Sequence, residues 1–200
     1  DYLKNSRKQY LFSAAELSSI GMATGSTLTK IGWEITTLNG AGLMEGYTIN
    51  YKWTTLNSLT ATFQTGTTNV YGPTNFTPSA VGNVDFTLTS ATTAWNGTDN
   101  LLIEICEGSI AGGYTFNCST PYTSVIGSSV FFISDLTAAC SNTTGITSSS
   151  RPNTRVNFTG GVSCFSPVAL VASNITTSSA DLSWTAPVPA PGLGYTYFYN

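Results

Sequence analysis

Carboxylates on one apolar stretch are the first residues in this sequence whose types are suited to catalysis. Glycoside hydrolysis needs two carboxylates that face each other across a cleft, and Glu104 and Glu107 follow Asp99 on the most apolar predicted strand. Residues three positions apart in a strand point to opposite faces. A facing pair is therefore disfavoured, and we expect Glu104 to be exposed or paired with a cation such as Arg151 or Arg155.

Histidine is absent from all 200 residues. It is the commonest general base and the commonest transition-metal ligand, so a Ser-His-Asp or Cys-His mechanism is excluded within this chain. Calcium prefers several carboxylates close in sequence, whereas Asp85, Asp99 and Asp135 are scattered. The sequence therefore predicts no catalytic residue, no metal ligand and no cofactor, and leaves room only for a structural calcium ion at a loop.

Four cysteines are present: Cys106, Cys118, Cys140 and Cys164. An even number fits two disulfides in an oxidising compartment, and the absence of a C-x-x-C motif argues against zinc. Three connectivities are open. Cys106 and Cys118 flank a glycine-rich loop and would face each other across a hairpin. Pairing Cys106 with Cys140 and Cys118 with Cys164 would close longer loops and stabilise the fold more.

Aromatic residues make up 12% of the chain and offer a second kind of chemistry, the stacking of sugar rings. The candidates for such a platform are Trp33, Tyr47, Tyr51, Trp53 and Trp95. Most aromatic side chains at strand period fill the core. Trp53, at a strand end, is the best candidate for an exposed ligand-binding residue.

Charged residues are unusually rare, at 8% of the chain with a net charge of −3, against about 25% charged residues in typical domains. Nucleic-acid binding needs many Lys and Arg side chains and is not predicted. No run of about 18 apolar residues exists, so membrane insertion is not predicted either. An uncharged surface rich in Thr, Ser and Asn is typical of extracellular adhesive proteins, which predicts a secreted, cell-surface location.

The ends of the chain suggest a larger protein. The first ten residues are polar and lack the apolar centre of a signal peptide, and residues 195–200 alternate like part of a strand. We expect a processed piece of a secreted protein, whose partners are further domains of the same chain and, at the surface, polysaccharides or other cell-surface proteins.

The stretch Trp95–Cys118 is predicted to organise the fold. Leu101–Cys106 forms an apolar strand, Gly108–Gly113 reverses the chain, and Tyr114–Cys118 returns as the second strand of a hairpin. From Leu28 onward, apolar residues alternate with a period of two and form about nine or ten short strands separated by turn residues. This pattern predicts an all-β fold, a jelly-roll-like antiparallel β-sandwich.

One short helix is predicted near the N-terminus. Ser13 and Glu16 have the spacing of a capping box, and Gly21 is placed to end the helix. On the next strand, Gly32 interrupts the alternation and predicts a bulge.

A change of pattern near residue 160 predicts a domain boundary. We assign residues 1–163 to the jelly-roll-like module and residues 164–200 to the truncated start of a second sandwich. Its candidate strands contain Pro167, Val168, Leu170 and Val171, then Leu182 and Trp184, then Tyr195, Tyr197 and Tyr199. On these residues the second region resembles strands A to C of a fibronectin type III (Ig-like) domain.

A second set of residues runs through the first region. It comprises Arg7, Gln9-Tyr10-Leu11, Ala15-Glu16-Leu17, Gly25, Thr27, Gly32, Thr65-Gly66, Trp95-Asn96-Gly97-Thr98, Asn100 to Glu104, Cys106 and Arg151-Pro152-Asn153. On these residues the region resembles a module of large secreted Bacteroidota proteins that often precedes fibronectin type III units.

The second resemblance implies a function. Its family consists of cell-surface adhesins and accessory modules exported by the type IX secretion pathway, including gliding-motility adhesins, and it brings no catalytic residues. It also implies a disulfide between Cys106 and Cys140, while Cys118 and Cys164 depart from the commoner pattern. We therefore expect a non-catalytic adhesin module, with an ancillary carbohydrate-binding module of a secreted hydrolase as the alternative.

Overall fold

The computed structural model describes residues 5–40, 42–108, 118–160 and 167–186, and their secondary structure is mainly antiparallel strand. The chain divides into two compact units, Asp1–Gly161 and Val162–Asn200. In chain order the elements are β1 (Asn5–Phe12), α1 (Ala14–Ser19), β2 (Thr27–Ile35), β3 (Met44–Thr54), β4 (Thr68–Phe76), β5 (Gly82–Thr87), β6 (Asn100–Glu107), β7 (Tyr122–Ser134), a 3-10 turn (Ala139–Ser141), β8 (Ile146–Pro152), β9 (Thr154–Thr159), β10 (Val168–Ser173) and β11 (Asp181–Thr185). The predicted all-β fold with one short N-terminal α-helix is confirmed.

In the described part of the first unit, nine strands form two antiparallel sheets. The larger has the order β4-β3-β6-β1-β7-β8, and the smaller has the order β5-β2-β9. Their facing sides bury one apolar core, to which the small sheet contributes Ile31 and Phe86 and the large sheet contributes Ile49 and Ile103. This arrangement is a β-sandwich, as the sequence predicts.

Strand β6 is buried along its whole length because both faces of its sheet are covered. Leu101 and Ile103 point into the core between the sheets. Leu102 points the other way, into a smaller apolar cluster with Leu59 and Phe63 from the segment between β3 and β4. The continuous apolar run of β6 is therefore explained by two apolar clusters, one on each side of the large sheet.

The predicted hairpin around β6 is wrong in its pairing. Both edges of β6 are occupied, by β1 on one side and by β3 on the other. No edge is left along Leu101–Cys106 for a strand at Tyr114–Cys118, and residues 109–117 lie outside the described part of the chain. A glycine-rich loop indicates reversal of the chain but does not choose the neighbour in the sheet.

Helix α1 begins as its sequence predicts. The Ser13 hydroxyl accepts a hydrogen bond from the Glu16 amide at 3.2 Å, and the Glu16 carboxylate accepts one from the Ser13 amide at 2.8 Å. Leu17 is buried against the core. The capping box is therefore confirmed, and it fixes where the chain leaves β1.

Gly32 is not a bulge. The register shift between β2 and β9 falls between Leu28 and Lys30, and the pairing is regular through Gly32. A Cβ atom at position 32 would overlap the Val84 carbonyl oxygen and the Asp85 side chain of β5. Glycine is required here because the neighbouring strand approaches closely.

The described part of the second unit contains the antiparallel pair β10 and β11, with Val171 opposite Ser183 and Ala172 opposite Leu182. Every residue of both strands is exposed. The strands expected around Val168 and Leu182 are present, and the fibronectin type III resemblance stays a prediction.

Candidate functional site

A cleft of about 590 Å³ lies between the two sheets of the first unit. Its walls come from both sheets, so the sandwich itself builds it. The aromatic residues that line it are Tyr10, Trp33, Tyr47, Phe76, Phe86, Tyr122 and Phe131. The polar or ionisable ones include Lys8, Glu107, Cys118, Ser119, Thr120, Ser129, Ser148 and Ser150. The volume falls within the range of small-molecule sites in proteins.

Glu107 is the buried acidic group of this cleft, with only 4% of its surface exposed. One carboxylate oxygen accepts a hydrogen bond from the Ser6 hydroxyl at 2.8 Å. The other oxygen, Oε2, is buried and has no hydrogen-bond partner, and the same is true of the Thr120 hydroxyl oxygen. The cleft therefore contains two polar atoms whose hydrogen-bonding capacity the protein leaves unused.

Two tyrosines of the cleft keep their protons. Burial raises the pKa of Tyr10 above its ordinary value, with Lys8 opposing and Glu107 adding to the rise. Burial also raises the pKa of Tyr47 well above 10.0, and the negative charge of Glu107 is the next cause. Both side chains are therefore neutral hydroxyls at ordinary pH, next to a carboxylate.

Tyr122 lies at the rim of the cleft, where β7 begins, and 66% of its surface is exposed. It pairs with Pro152 of β8 across the sheet edge. Deeper in the cleft, the Ser129 hydroxyl makes hydrogen bonds to the carbonyls of Ser148 and Ser150 and is thereby satisfied by the protein. The rim thus offers an aromatic face, whereas the unused polar atoms belong to Glu107 and Thr120.

Glu104 lies on the opposite face of the large sheet and is buried, so of the two expected settings it has the pair with a cation and not the exposed position. Its carboxylate forms an ion pair with Arg7 at 2.7 Å rather than with Arg151 or Arg155. Gln9 also donates to the same oxygen at 2.7 Å. The partner is on β1 because β1 is the sheet neighbour of β6.

The second oxygen of Glu104 is also occupied, by donors from Asn50 at 3.0 Å and Thr67 at 3.2 Å. Arg7 makes a further hydrogen bond to the Asn142 carbonyl and covers the ring of Phe63. This group of side chains fastens β1, β3, β6 and two loops together. Glu104 is therefore a structural carboxylate.

The two arginines that were expected near Glu104 have other partners. Arg151 pairs with Glu16 of α1 and lies over the ring of Phe12. Arg155 pairs with Asp85 at 3.1 Å. Each of these ion pairs joins elements that are distant in sequence. Neither arginine is among the residues that line the cleft.

The disulfide between Cys106 and Cys140 is present, as the resemblance implies, and it joins β6 to the 3-10 turn. Cys118 has no disulfide partner among the described residues and lines the cleft. Cys164 lies outside the described residues, so the predicted Cys118–Cys164 bond stays a prediction.

Trp53 is half-buried and does not line the cleft. Its ring contacts Tyr51 at 5.9 Å and Trp95 at 6.4 Å between centroids, and its indole N–H donates to the Thr93 carbonyl at 2.9 Å. Trp33 does line the cleft, although only 8% of it is exposed. The structure therefore places Trp53 away from the aromatic residues that line the cleft.

Thr120 and Tyr122 carry no recognisable signal in the sequence. They join the cleft because β7 lies between β1 and β8, and this long-range order cannot be read from alternation. Among the cleft residues, Glu107 is the one that stands out in the sequence, because it is a charged residue at the end of an apolar strand. Its position indicates an unusual setting for a carboxylate but does not identify the neighbouring residues.

No family model, curated protein or solved structure matches the chain. The resemblances to a Bacteroidota adhesin module and to fibronectin type III therefore stay predictions. Among the described residues, no three His, Cys, Asp or Glu side chains come together as ligands for a metal ion. No helix within the described ranges combines the length and apolar character required to cross a membrane.

Proposed function

We propose that the chain is a non-catalytic adhesion module of a large secreted bacterial protein, acting at the cell surface by display and contact. The observation that carries this proposal is the Cys106–Cys140 disulfide. Disulfides form and persist in oxidising compartments. This one fastens a turn to the outer face of the large sheet, beside the buried Arg7–Glu104 pair. Export by the type IX pathway and a part in gliding belong to the proposal through the resemblance alone.

The carboxylates support a non-catalytic role. Both oxygens of Glu104 are hydrogen-bonded, and Glu107 lies on the other face of the sheet, so the two do not form a facing pair. We expect the chain to release no reducing ends from xylan, β-glucan or agarose and no new amino termini from casein. Turnover that scales with purified chain and disappears in Glu107→Gln would contradict this expectation.

A second candidate function is an ancillary carbohydrate-binding module of a secreted multidomain hydrolase, and the cleft between the sheets favours it. Aromatic walls with a few inward polar groups suit sugars, which have both apolar faces and hydroxyls. Polysaccharide is the ligand of the second candidate and one of the two partner classes proposed for the first, the other being cell-surface proteins. The two candidates differ in the domains that accompany the module, which are many repeats for an adhesin and a hydrolase domain for an accessory module.

Adhesion itself is tested with coated beads. The chain, produced under oxidising conditions, is coupled to beads, and their retention under flow is measured on immobilised polysaccharides and on cells of the source bacterium. We expect retention above that of beads coated with the Cys106→Ser/Cys140→Ser variant. Equal detachment of both bead types from every surface would rule out adhesion.

A further inference from the structure

The cleft holds a feature that the fold does not require. Burying a carboxylate oxygen or a hydroxyl without a hydrogen bond costs free energy, yet Glu107 Oε2 and Thr120 Oγ1 are both buried and unpartnered. The other buried carboxylate of β6, Glu104, is fully bonded by its neighbours. The difference marks Glu107 as a group whose partner comes from outside the chain.

The surroundings of Glu107 indicate the chemistry of that partner. Trp33, Tyr47 and Phe86 form apolar walls, which favour a ligand with an apolar face. Lys8 lines the same cleft, and its positive charge disfavours a cationic ligand near Glu107. A neutral ligand that donates hydroxyl groups satisfies both conditions.

We infer that the cleft binds one neutral pyranose unit of a polysaccharide. Glu107 Oε2 accepts a hydrogen bond from one sugar hydroxyl. The Thr120 hydroxyl forms a hydrogen bond with a second sugar hydroxyl, as donor or acceptor. The exposed ring of Tyr122 stacks on the sugar at the rim. This inference rests on the proposed contact with polysaccharide and adds the site and the class of ligand.

Tryptophan indole signals report on the site directly. Of the four tryptophans, Trp33 lines the cleft, whereas Trp53 and Trp95 pack against each other elsewhere in the first unit. The ¹⁵N-labelled chain is titrated with the methyl glycosides of glucose, galactose, mannose and N-acetylglucosamine, and with n-butylammonium chloride. We expect at least one glycoside to shift the Trp33 indole signal, assigned with Trp33→Phe, and to leave that of Trp95 in place.

Variants locate the contacts. Glu107→Gln is expected to weaken glycoside binding about tenfold or more, because a hydrogen bond to a charged acceptor is lost. Tyr122→Ala is expected to weaken it about threefold to tenfold through lost stacking. Tyr122 is exposed, so that variant stays testable even where Glu107→Gln fails to fold. Glu34→Gln, a change at an exposed carboxylate of β2, is the matched control and should bind as the parent chain does.

The remaining outcomes overturn the inference in distinguishable ways. A Trp33 shift with n-butylammonium and with no glycoside would make the cleft a cation site. No shift with any probe would remove the cleft as a sugar site, and bead retention on polysaccharide would then place adhesion elsewhere on the chain. Glycoside binding that both cleft variants leave unchanged would likewise place the sugar elsewhere. A Trp33 shift without bead retention would instead count against adhesion while the site stands.

Discussion

Glu104 and Glu107 lie three residues apart on β6 and face opposite sides of the same sheet. Glu104 receives hydrogen bonds from Arg7, Gln9, Asn50 and Thr67. Glu107 receives one from Ser6 and keeps a free oxygen. The period of two in a strand separates them, so one carboxylate is fully bonded by the structure while the other keeps a buried oxygen without a hydrogen-bond partner.

Removal of Arg7 should destabilise the chain strongly. Its ion pair with Glu104 is buried, with 12% and 6% of the two side chains exposed. The Arg7→Ala variant leaves a buried carboxylate without its cation, which typically costs about 3–5 kcal/mol of unfolding free energy. Urea denaturation of the oxidised protein measures the loss.

Arg155→Ala is the matched control for Arg7→Ala. The pair that it breaks, with Asp85, is more exposed, at 45% and 25% of the side chains. Exposed pairs contribute about 0–1 kcal/mol, so this variant should unfold close to the parent. Equal losses in the two variants would mean that burial of the Arg7–Glu104 pair has no special weight.

The lowered pKa of Glu16 leads us to expect that the stability of the chain depends on pH. The hydrogen bond of Glu16 to Arg151 is the main cause that lowers its pKa in the folded state from 4.5 to about 2. A carboxyl whose folded pKa is depressed adds stability above its unfolded pKa, and this contribution is lost as the pH falls through the folded pKa. The stability difference between the parent chain and Glu16→Gln should therefore be constant above the unfolded pKa and shrink as the pH falls toward 2.

The pH effect of Glu16 depends on its partner. Urea midpoints are compared for the parent and for Glu16→Gln, each also in an Arg151→Gln background, from neutral pH downward. The double variant isolates the coupling of the pair. A pH-dependent difference of the same size in both backgrounds would assign it to another residue.

At the scale of the strands and helices, local patterns in the sequence predict where an element lies. They do not predict which strands pair with each other in a sheet. The capping box at Ser13 and the alternation of apolar residues from Leu28 onward depend on residues close in sequence, and both lead to correct predictions. The pairing of β6 with β1 and β3 joins residues about 50 to 100 positions apart, and alternation carries no information on it. The predicted hairpin failed for that reason.

The same limit applies to the candidate site. In the sequence, Glu107 is identifiable only as one member of a possible catalytic pair with Glu104, a role that the period of two in a strand already disfavours. Its actual setting, in a cleft with Thr120 and Tyr122, follows from which strands flank β1. Single residues with unusual chemistry can thus be found from the sequence, whereas their shared cleft requires the sheet order.

Gly32→Ala tests the close approach of β2 and β5. The added Cβ would overlap the Val84 carbonyl, so the strands must move apart at a cost of about 1–3 kcal/mol. We expect faster amide hydrogen exchange along β5, measured by NMR, together with the lower stability.

Gly46→Ala provides the contrast for Gly32→Ala. Gly46 has φ +62° and no atom near an added Cβ, so its cost of about 1–2 kcal/mol comes from backbone strain alone. Exchange along β5 should stay at its parental rate. Unchanged exchange in Gly32→Ala would show that β5 accommodates the methyl group.

At the scale of the first unit, the disulfide and the Arg7 contacts fasten the same region. Cys106 is paired in register with Arg7 on β1, and Arg7 bonds to the Asn142 carbonyl just after Cys140. The covalent link and the polar contacts therefore hold one loop against the outer face of the large sheet, over the smaller apolar cluster.

Loss of this disulfide should also lower the free energy of unfolding strongly. Cys106 and Cys140 are 34 positions apart, and closing a loop of that length in the unfolded chain corresponds to about 4 kcal/mol in the chain-entropy description. The Cys106→Ser/Cys140→Ser variant should lose about 2–5 kcal/mol in urea denaturation. Cys118→Ser, at a cysteine with no disulfide partner among the described residues, is the control and should change the free energy of unfolding far less. A double variant as stable as the parent, or a Cys118→Ser variant with the larger loss, would contradict the assignment of Cys106–Cys140 as the bond that holds the unit together.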